Sequence, residues 1–181
     1  KIPMVIKNTN NPKHPGTKIV LNHTDENVKV VGIAGDSGFV SINTTKYLMN
    51  REVGFGRKLL QILEDLNISW DHMPTGIDDL SVILRSKELT PIKEQEILKH
   101  LIQDLQVDYA EIEHDLSIIM IVGENMKNQI GVTATATKAL SENNINIQMI
   151  SQGSSEVSIM FVVNQEQEKQ AIKALYNVFF N

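Results

Sequence analysis

GFGRKLLQILEDLNISWDHMPTGIDDLSVILR (Gly54–Arg85) lies without a gap over GVTATATKALSENNINIQMISQGSSEVSIMFV (Gly131–Val162) when the chain is slid along itself by 77 residues. Six of the 32 positions are identical: Gly54/Gly131, Leu63/Leu140, Asn67/Asn144, Ile68/Ile145, Gly76/Gly153 and Ser81/Ser158. Most of the others agree in polarity. A period this long marks a duplicated module rather than a solenoid.

Each copy has the same grammar. A glycine opens a helix after a strand, where backbone must turn tightly or approach something closely. Leu59, Leu60, Leu63 and Leu66 in the first copy, and Val132, Ala136, Ala139 and Leu140 in the second, recur at helical spacing. Asn67 and Asn144 suit a left-handed helix C-terminus. Alternating strands are expected next, on Ile68–Trp70 and on Ile145, Ile147 and Met149, followed by a polar turn and by strands at Leu80–Leu84 and Val157–Val163. A second helix follows each copy. Thr90-Pro91 reads as an N-cap with proline at the first helical position, and the counterpart is about Gln165–Phe179.

With strands at Phe39–Thr44 and Leu116–Val122 ahead of the glycines, each unit is strand–helix–strand–strand–helix. The expected fold is therefore α+β: two ferredoxin-like βαββαβ modules, each an antiparallel sheet with helices on one face. The first closes with a strand near Asp108–His114, whereas the second runs out of chain. The unassigned VKVVGIA at Val28–Ala34 is the strand left to complete it. The resulting division is residues 1–27 as a linker, 37–115 as module 1, and 28–36 plus 116–181 as module 2.

Composition narrows the function. A net charge of −5 with scattered lysines and arginines argues against nucleic acid and anionic membranes as partners. No apolar run reaches the roughly 18–20 residues of a membrane span. The absence of cysteine removes disulfides and thiolate metal sites, and fits a reducing, cytoplasmic setting. The start, KIPMVIKN, has neither an initiator methionine nor a signal-peptide pattern, so Lys1 is expected to lie within a longer parent chain.

No phosphate loop and no complete dinucleotide fingerprint is present, since GFG at Gly54–Gly56 lacks the third glycine. His14, His23, His72, His100 and His114 lack metal-ligand spacing. Neither a catalytic residue, a metal site nor a cofactor site is expected in this chain. The repeat does offer a binding site. A helix-start glycine leaves backbone N–H groups free at a helix N-terminus, a natural seat for a carboxylate, and the polar turn after the next strand can reach the same ligand.

GVTATATKALSENNINIQMISQGSSEVSIMFVV (Gly131–Val163) resembles the second ACT domain of aspartate kinases, the amino-acid-sensing module at their C-terminus. VGFGRKLLQILEDLNISWDHMPTG (Val53–Gly76) is similar to their first ACT domain, and KIPMVIKNTNNPKHPGT (Lys1–Thr17) resembles the segment joining the catalytic domain to it. The likeness covers practically the whole chain and implies a regulatory region without its catalytic domain, to which ATP and Mg would belong. It implies feedback inhibition by an end product of the aspartate pathway, bound between ACT domains, commonly across a homodimer.

By this resemblance the effector contacts of module 1 would be Met49, Glu52, Gly54, Gly56, Ser69, Trp70, Asp71 and Thr75. Those of module 2 would be Gln129, Ile130, Gly131, Thr133, Asn146, Ile147 and Gly153. Asp71 could pair with an ammonium group, and Glu52 with the far ammonium of lysine, which places lysine first among effectors. Threonine, or lysine plus threonine, is the alternative, and a module used for assembly alone is the competing class.

Overall fold

The computed structural model describes residues 4–19 and 29–180, so the outer parts of the expected linker, His23 and Val28 lie outside the described residues. A hairpin of β1 (Met4–Ile6) and β2 (Thr17–Ile19) comes first. The chain then enters β3 (Gly32–Thr45), α1 (Phe55–Asp65), β4 (Asp79–Arg85), α2 (Pro91–Gln103) and β5 (Tyr109–Val122). It continues through α3 (Val132–Glu142), β6 (Met149–Gln152), β7 (Ser158–Asn164) and α4 (Glu168–Phe180).

β3 and β5 carry the architecture. Each is 14 residues long, and they pair antiparallel from Gly32↔Val122 to Thr45↔Tyr109. One end of this ladder serves each module. Module 1 takes Phe39–Thr45 and the first half of β5 with β4, and covers them with α1 and α2. Module 2 takes the second half of β5 with β7 and β6, and Gly32–Ser37 supply its last strand. The expected completion of the second module by an N-terminal strand is thus what the ladder shows, and the sheet runs β4-β3-β5-β7-β6.

The ladder is self-consistent under the repeat. Moving Thr45↔Tyr109 by 77 in opposite senses yields Val122↔Gly32, which is also a pair. Gly38 (φ 81) and Asp115 (φ 57) occupy equivalent positions, both left-handed, and the ladder shifts register beside them. A bulge of this kind bends a strand and adds one residue to a face. Ile33 before the break and Val40 and Ile42 after it accordingly all pack against helices.

Two cores result. Val40, Ile42, Leu80, Val82 and Leu84 pack on Phe55, Leu59, Leu63, Ile97 and Leu101 in module 1. Ile119, Ile121, Ile159, Phe161 and Val163 pack on Val132, Ala136, Leu140, Ala171 and Leu175 in module 2. The helix-free faces turn toward each other around a third cluster, Phe39, Ile83, Leu116 and Val162. Helix ends follow the sequence: Asn67 and Asn144 are left-handed (φ 51 and 55), and Thr90 Oγ1 accepts from Lys93 N.

Two sequence expectations need correction. Residues 68–70 and 145–147 are not strand. Pairing on that edge starts at His72↔Ile83 in module 1 and Met149↔Val162 in module 2. In module 1 it remains two isolated bridges, because Asp71 N and His72 N both donate to Ile83 O and Pro74 has no N–H to offer. The gapless alignment also fails after the turn. His72 corresponds to Met149 but Ile83 to Val162, so β7 is two residues later than the repeat predicts and Ser81/Ser158 are not equivalent. Module 1 recovers the two residues at Leu89-Thr90, between its short 3-10 turn (Ser86–Glu88) and α2. In module 2 the matching turn (Gln165–Gln167) runs straight into α4.

Candidate functional site

Gly54 (φ 79) and Gly131 (φ 92) are the N-caps of α1 and α3, and neither helix has a side-chain cap. Left-handed backbone at that position excludes most side chains. Nothing lies within 4 Å of a Cβ built on Gly131, and the nearest atom to one on Gly54 is Arg57 Nε at 4.0 Å. Space is therefore open over each glycine cap, with the positive end of the helix dipole behind it, and in module 1 the first helical N–H, that of Phe55, donates to Glu52 O (3.4 Å).

In module 2 the cap borders a cavity of about 450 Å³ lined by Met126, Gln129, Gly131, Thr133, Gln152 and Gly153, among others. Asn128 N donates to Glu156 Oε2 (2.8 Å), which ties the helix-start loop to the turn after β6. Gln129, Gly131, Thr133 and Gly153 thus come together as expected from the sequence. Ile130 stands beside them, 94% exposed. Asn146 and Ile147 do not line this cavity, and Ile147 packs on the core.

Module 1 is built alike. Lys46 N donates to Asp78 O and Asn50 N to Ile77 O, so the turn after Thr75 lies against the helix-start loop. Val53, which the repeat makes equivalent to Ile130, is 95% exposed. Gly56 has nothing within 4 Å. Met49 is buried in the core rather than presented to solvent.

Glu52 departs most from expectation. Its two oxygens lie 2.6 Å from Lys46 Nζ and 2.6 Å from Lys58 Nζ. Lys46, which also donates to Leu105 O and sits over the Phe55 ring, holds the Glu52 carboxyl below the usual glutamate range, with Lys58 second. An anion held between two cations is already matched and is a poor partner for a ligand ammonium. Neither lysine was singled out from sequence, since only the fold brings Lys46 and Lys58 to one carboxylate. A lowered folded pKa means the ion pair stabilises the fold above the unfolded pKa and ceases to do so as pH falls through the folded one. The melting difference between the wild type and Glu52→Gln should hold steady from neutral pH to about pH 5 and vanish on further acidification. A difference that grows toward acid would refute the pairing.

Ser69, Trp70 and Asp71 lie at the far end of α1. Ile68 N donates to Leu63 O there, and Ser69 and Trp70 line a groove of about 660 Å³ with Glu64 and Glu88. Ser69 and Thr75 line separate depressions on the surface. A small ligand in one of them does not touch both ends of this set within one copy. Asp71 instead faces Arg85, whose Nη2 is 2.7 Å from Asp36 Oδ2 and whose Nε is 3.8 Å from Asp71 Oδ2. The Arg85 guanidinium lowers the Asp36 pKa, and burial lowers that of His72 beside it. These contacts join residues remote in sequence, and nothing in the local pattern marks them. No helix among the described residues is long and apolar enough to cross a membrane.

A family model described as ACT domain matches residues 119–179. The chain is 51% identical over 179 residues to Aspartokinase 3 of Bacillus subtilis, covering 99% of this chain and 39% of that one. It superposes on the crystal structure of Clostridium acetobutylicum aspartate kinase with a TM-score of 0.88 and 38% identity, over 98% of this chain and 41% of that one. It therefore spans about two fifths of the length of these relatives. The regulatory subunit of aspartate kinase from Thermus flavus shares the fold at 21% identity (TM-score 0.69), over 83% of this chain and 99% of that one.

Proposed function

Because the chain belongs with the regulatory ACT-domain regions of aspartokinases, we propose that it senses an end product of the aspartate pathway and restrains an aspartate kinase in response. The supporting observation is the pair of uncapped, glycine-led helix starts, open to solvent and flanked by the exposed apolar side chains Val53 and Ile130. The effector carboxylate sits on the free N–H groups. Ser69–Asp71, which within one copy line other depressions, are contributed by a second copy, so the working unit is a homodimer. Lysine is the first candidate, with Asp71 rather than the lysine-bound Glu52 receiving an ammonium. Threonine comes second.

Such a ligand acts only through a difference in affinity between two conformations. A factor of 100 corresponds to about 2.7 kcal/mol, within reach of one charge-assisted contact and a few hydrogen bonds. Catalysis, with its ATP and Mg, would belong to a kinase domain of the cytoplasmic parent enzyme.

Thermal melting with L-lysine, and separately with L-threonine, tests this. A ligand at 100 times its Kd should add about 2.7 kcal/mol, and Asp71→Ala should reduce the lysine response without changing the ligand-free melting point by much. Melting unmoved by either amino acid at millimolar concentration would favour a region used for assembly alone.

A further inference from the structure

The helix-free faces of the two modules meet around Phe39, Ile83, Leu116 and Val162 and leave a cleft on either side of that contact. The repeat relates the two clefts. In each, the outer edge of one module overhangs the open sheet face of the other. Their chemistry is opposite.

In the first cleft, Gln148 Nε2 donates to Glu113 Oε1 (2.7 Å) above the face that carries Ser41, Asn43 and Ser81. Ser41 Oγ donates to Asn43 Oδ1 (2.6 Å). These contacts pair several of its polar groups, while Gln148 Oε1 is buried there without a partner.

In the second, the equivalent floor positions are Ile118, Met120 and Met160, all half-buried, under a cavity of about 360 Å³. Met120 and Met160 face each other directly across the β5–β7 ladder. The rim is charged. Arg85 stacks on Phe39 with Cζ 4.1 Å from the ring centroid, contacts Asp36 at 2.7 Å, and stands 3.8 Å from Asp71, too far for a hydrogen bond. Much of its five-donor fork stays available, as does the Asp71 carboxylate. His72 Nε2, buried at the same cleft, has no hydrogen-bond partner. An unmatched buried atom occurs in both clefts, so the forked cation and the apolar floor are what set this one apart.

A forked cation, an uncommitted carboxylate and an apolar floor in one small cleft match a free amino acid. We propose that this cleft binds an α-amino acid with an apolar side chain. Its carboxylate lies on Arg85, its ammonium on Asp71, and its side chain on Met120 and Met160. Lysine fits this floor worse, because a side chain laid on the methionines would desolvate its second ammonium there. The site lies within one copy, away from both helix starts. It touches both modules, so occupancy adds a contact between them.

Asp71 borders this cleft and the lysine site proposed above, so the discriminating experiment uses the floor. The chain has seven methionines. With their methyl groups 13C-labelled, titration with L-leucine should move the Met120 and Met160 resonances saturably. The Met49 and Met126 resonances, at the helix starts, should stay in place. Met160→Ser, which copies the polar counterpart cleft, should weaken leucine binding by about tenfold and leave the lysine response intact. Saturable movement at Met120 and Met160 would stand even if lysine proved not to bind. Movement confined to Met49 or Met126, no saturable movement at millimolar leucine, or undiminished leucine binding in a folded Met160→Ser chain would each overturn the proposal.

Discussion

Phe161→Ala should destabilise the chain by about 3–5 kcal/mol and lower its melting temperature by on the order of 10 °C. Phe161 is fully buried on β7, between Ile119 and Ile150 in the ladder and under α3 and α4. Truncation removes its transfer free energy and leaves a cavity that helices pinned at both ends cannot close. The more informative readout is the single tryptophan, Trp70, in the other module. Since β3 and β5 run through both modules, losing module 2 frees one flank of the strands that hold module 1. The urea midpoint followed by Trp70 fluorescence should move as far as that followed by far-UV circular dichroism. A fluorescence midpoint that stays put would show that the modules unfold separately.

Gly131→Val should have the next largest effect, toward the upper end of the 1–3 kcal/mol that a sparsely populated backbone conformation costs. A β-branched residue is a strong outlier at φ 92. No neighbour lies within 4 Å of the new Cβ, so the cost arises in the backbone itself and not from a clash. The same Cβ would stand over the free N–H groups of α3, so any amino acid bound at module 2 should be lost as well. Gly56→Ala is the control. Gly56 sits inside the first turn of α1 with room for a methyl group, and this change should stabilise by up to about 1 kcal/mol. Stability changes of equal sign and size at the two glycines would contradict a special role for the left-handed cap.

Much of this was legible in the sequence, for identifiable reasons. Gly54/Gly131 and Asn67/Asn144 need left-handed backbone, a local demand that only certain residues meet cheaply, so their repetition marked the start and end of both first helices. The lack of a closing strand in the second copy pointed to the strand before the first, because a βαββαβ module needs a fourth strand and VKVVGIA was the stretch left unassigned. Of the module 2 contacts that the resemblance implies, Gln129, Gly131, Thr133 and Gly153 border one cavity, whereas Asn146 and Ile147 do not.

What failed to show was whatever depends on ladder register or on long-range contact. A slip of one residue turns every side chain to the other face of a sheet, but a slip of two leaves the alternation unchanged. The apolar pattern of β7 therefore fits the wrong register as well as the right one, and only the pairing of Met149 with Val162 reveals it. The same holds for charge. Glu52 looked like a free acid beside a binding site, until the fold placed Lys46 and Lys58 on its two oxygens. Arg85, Asp36 and Asp71 meet only because the open faces of the two modules turn toward each other. By itself the sequence determined two glycine-led modules, the second completed by the strand ahead of the first, since those features rest on local backbone demands and alternation. That β3 and β5 run unbroken through both in one sheet came from the tertiary structure. Which carboxylates remain free and which cleft is apolar were decided by tertiary structure, because both depend on which residues, distant along the chain, the two bulged strands bring face to face.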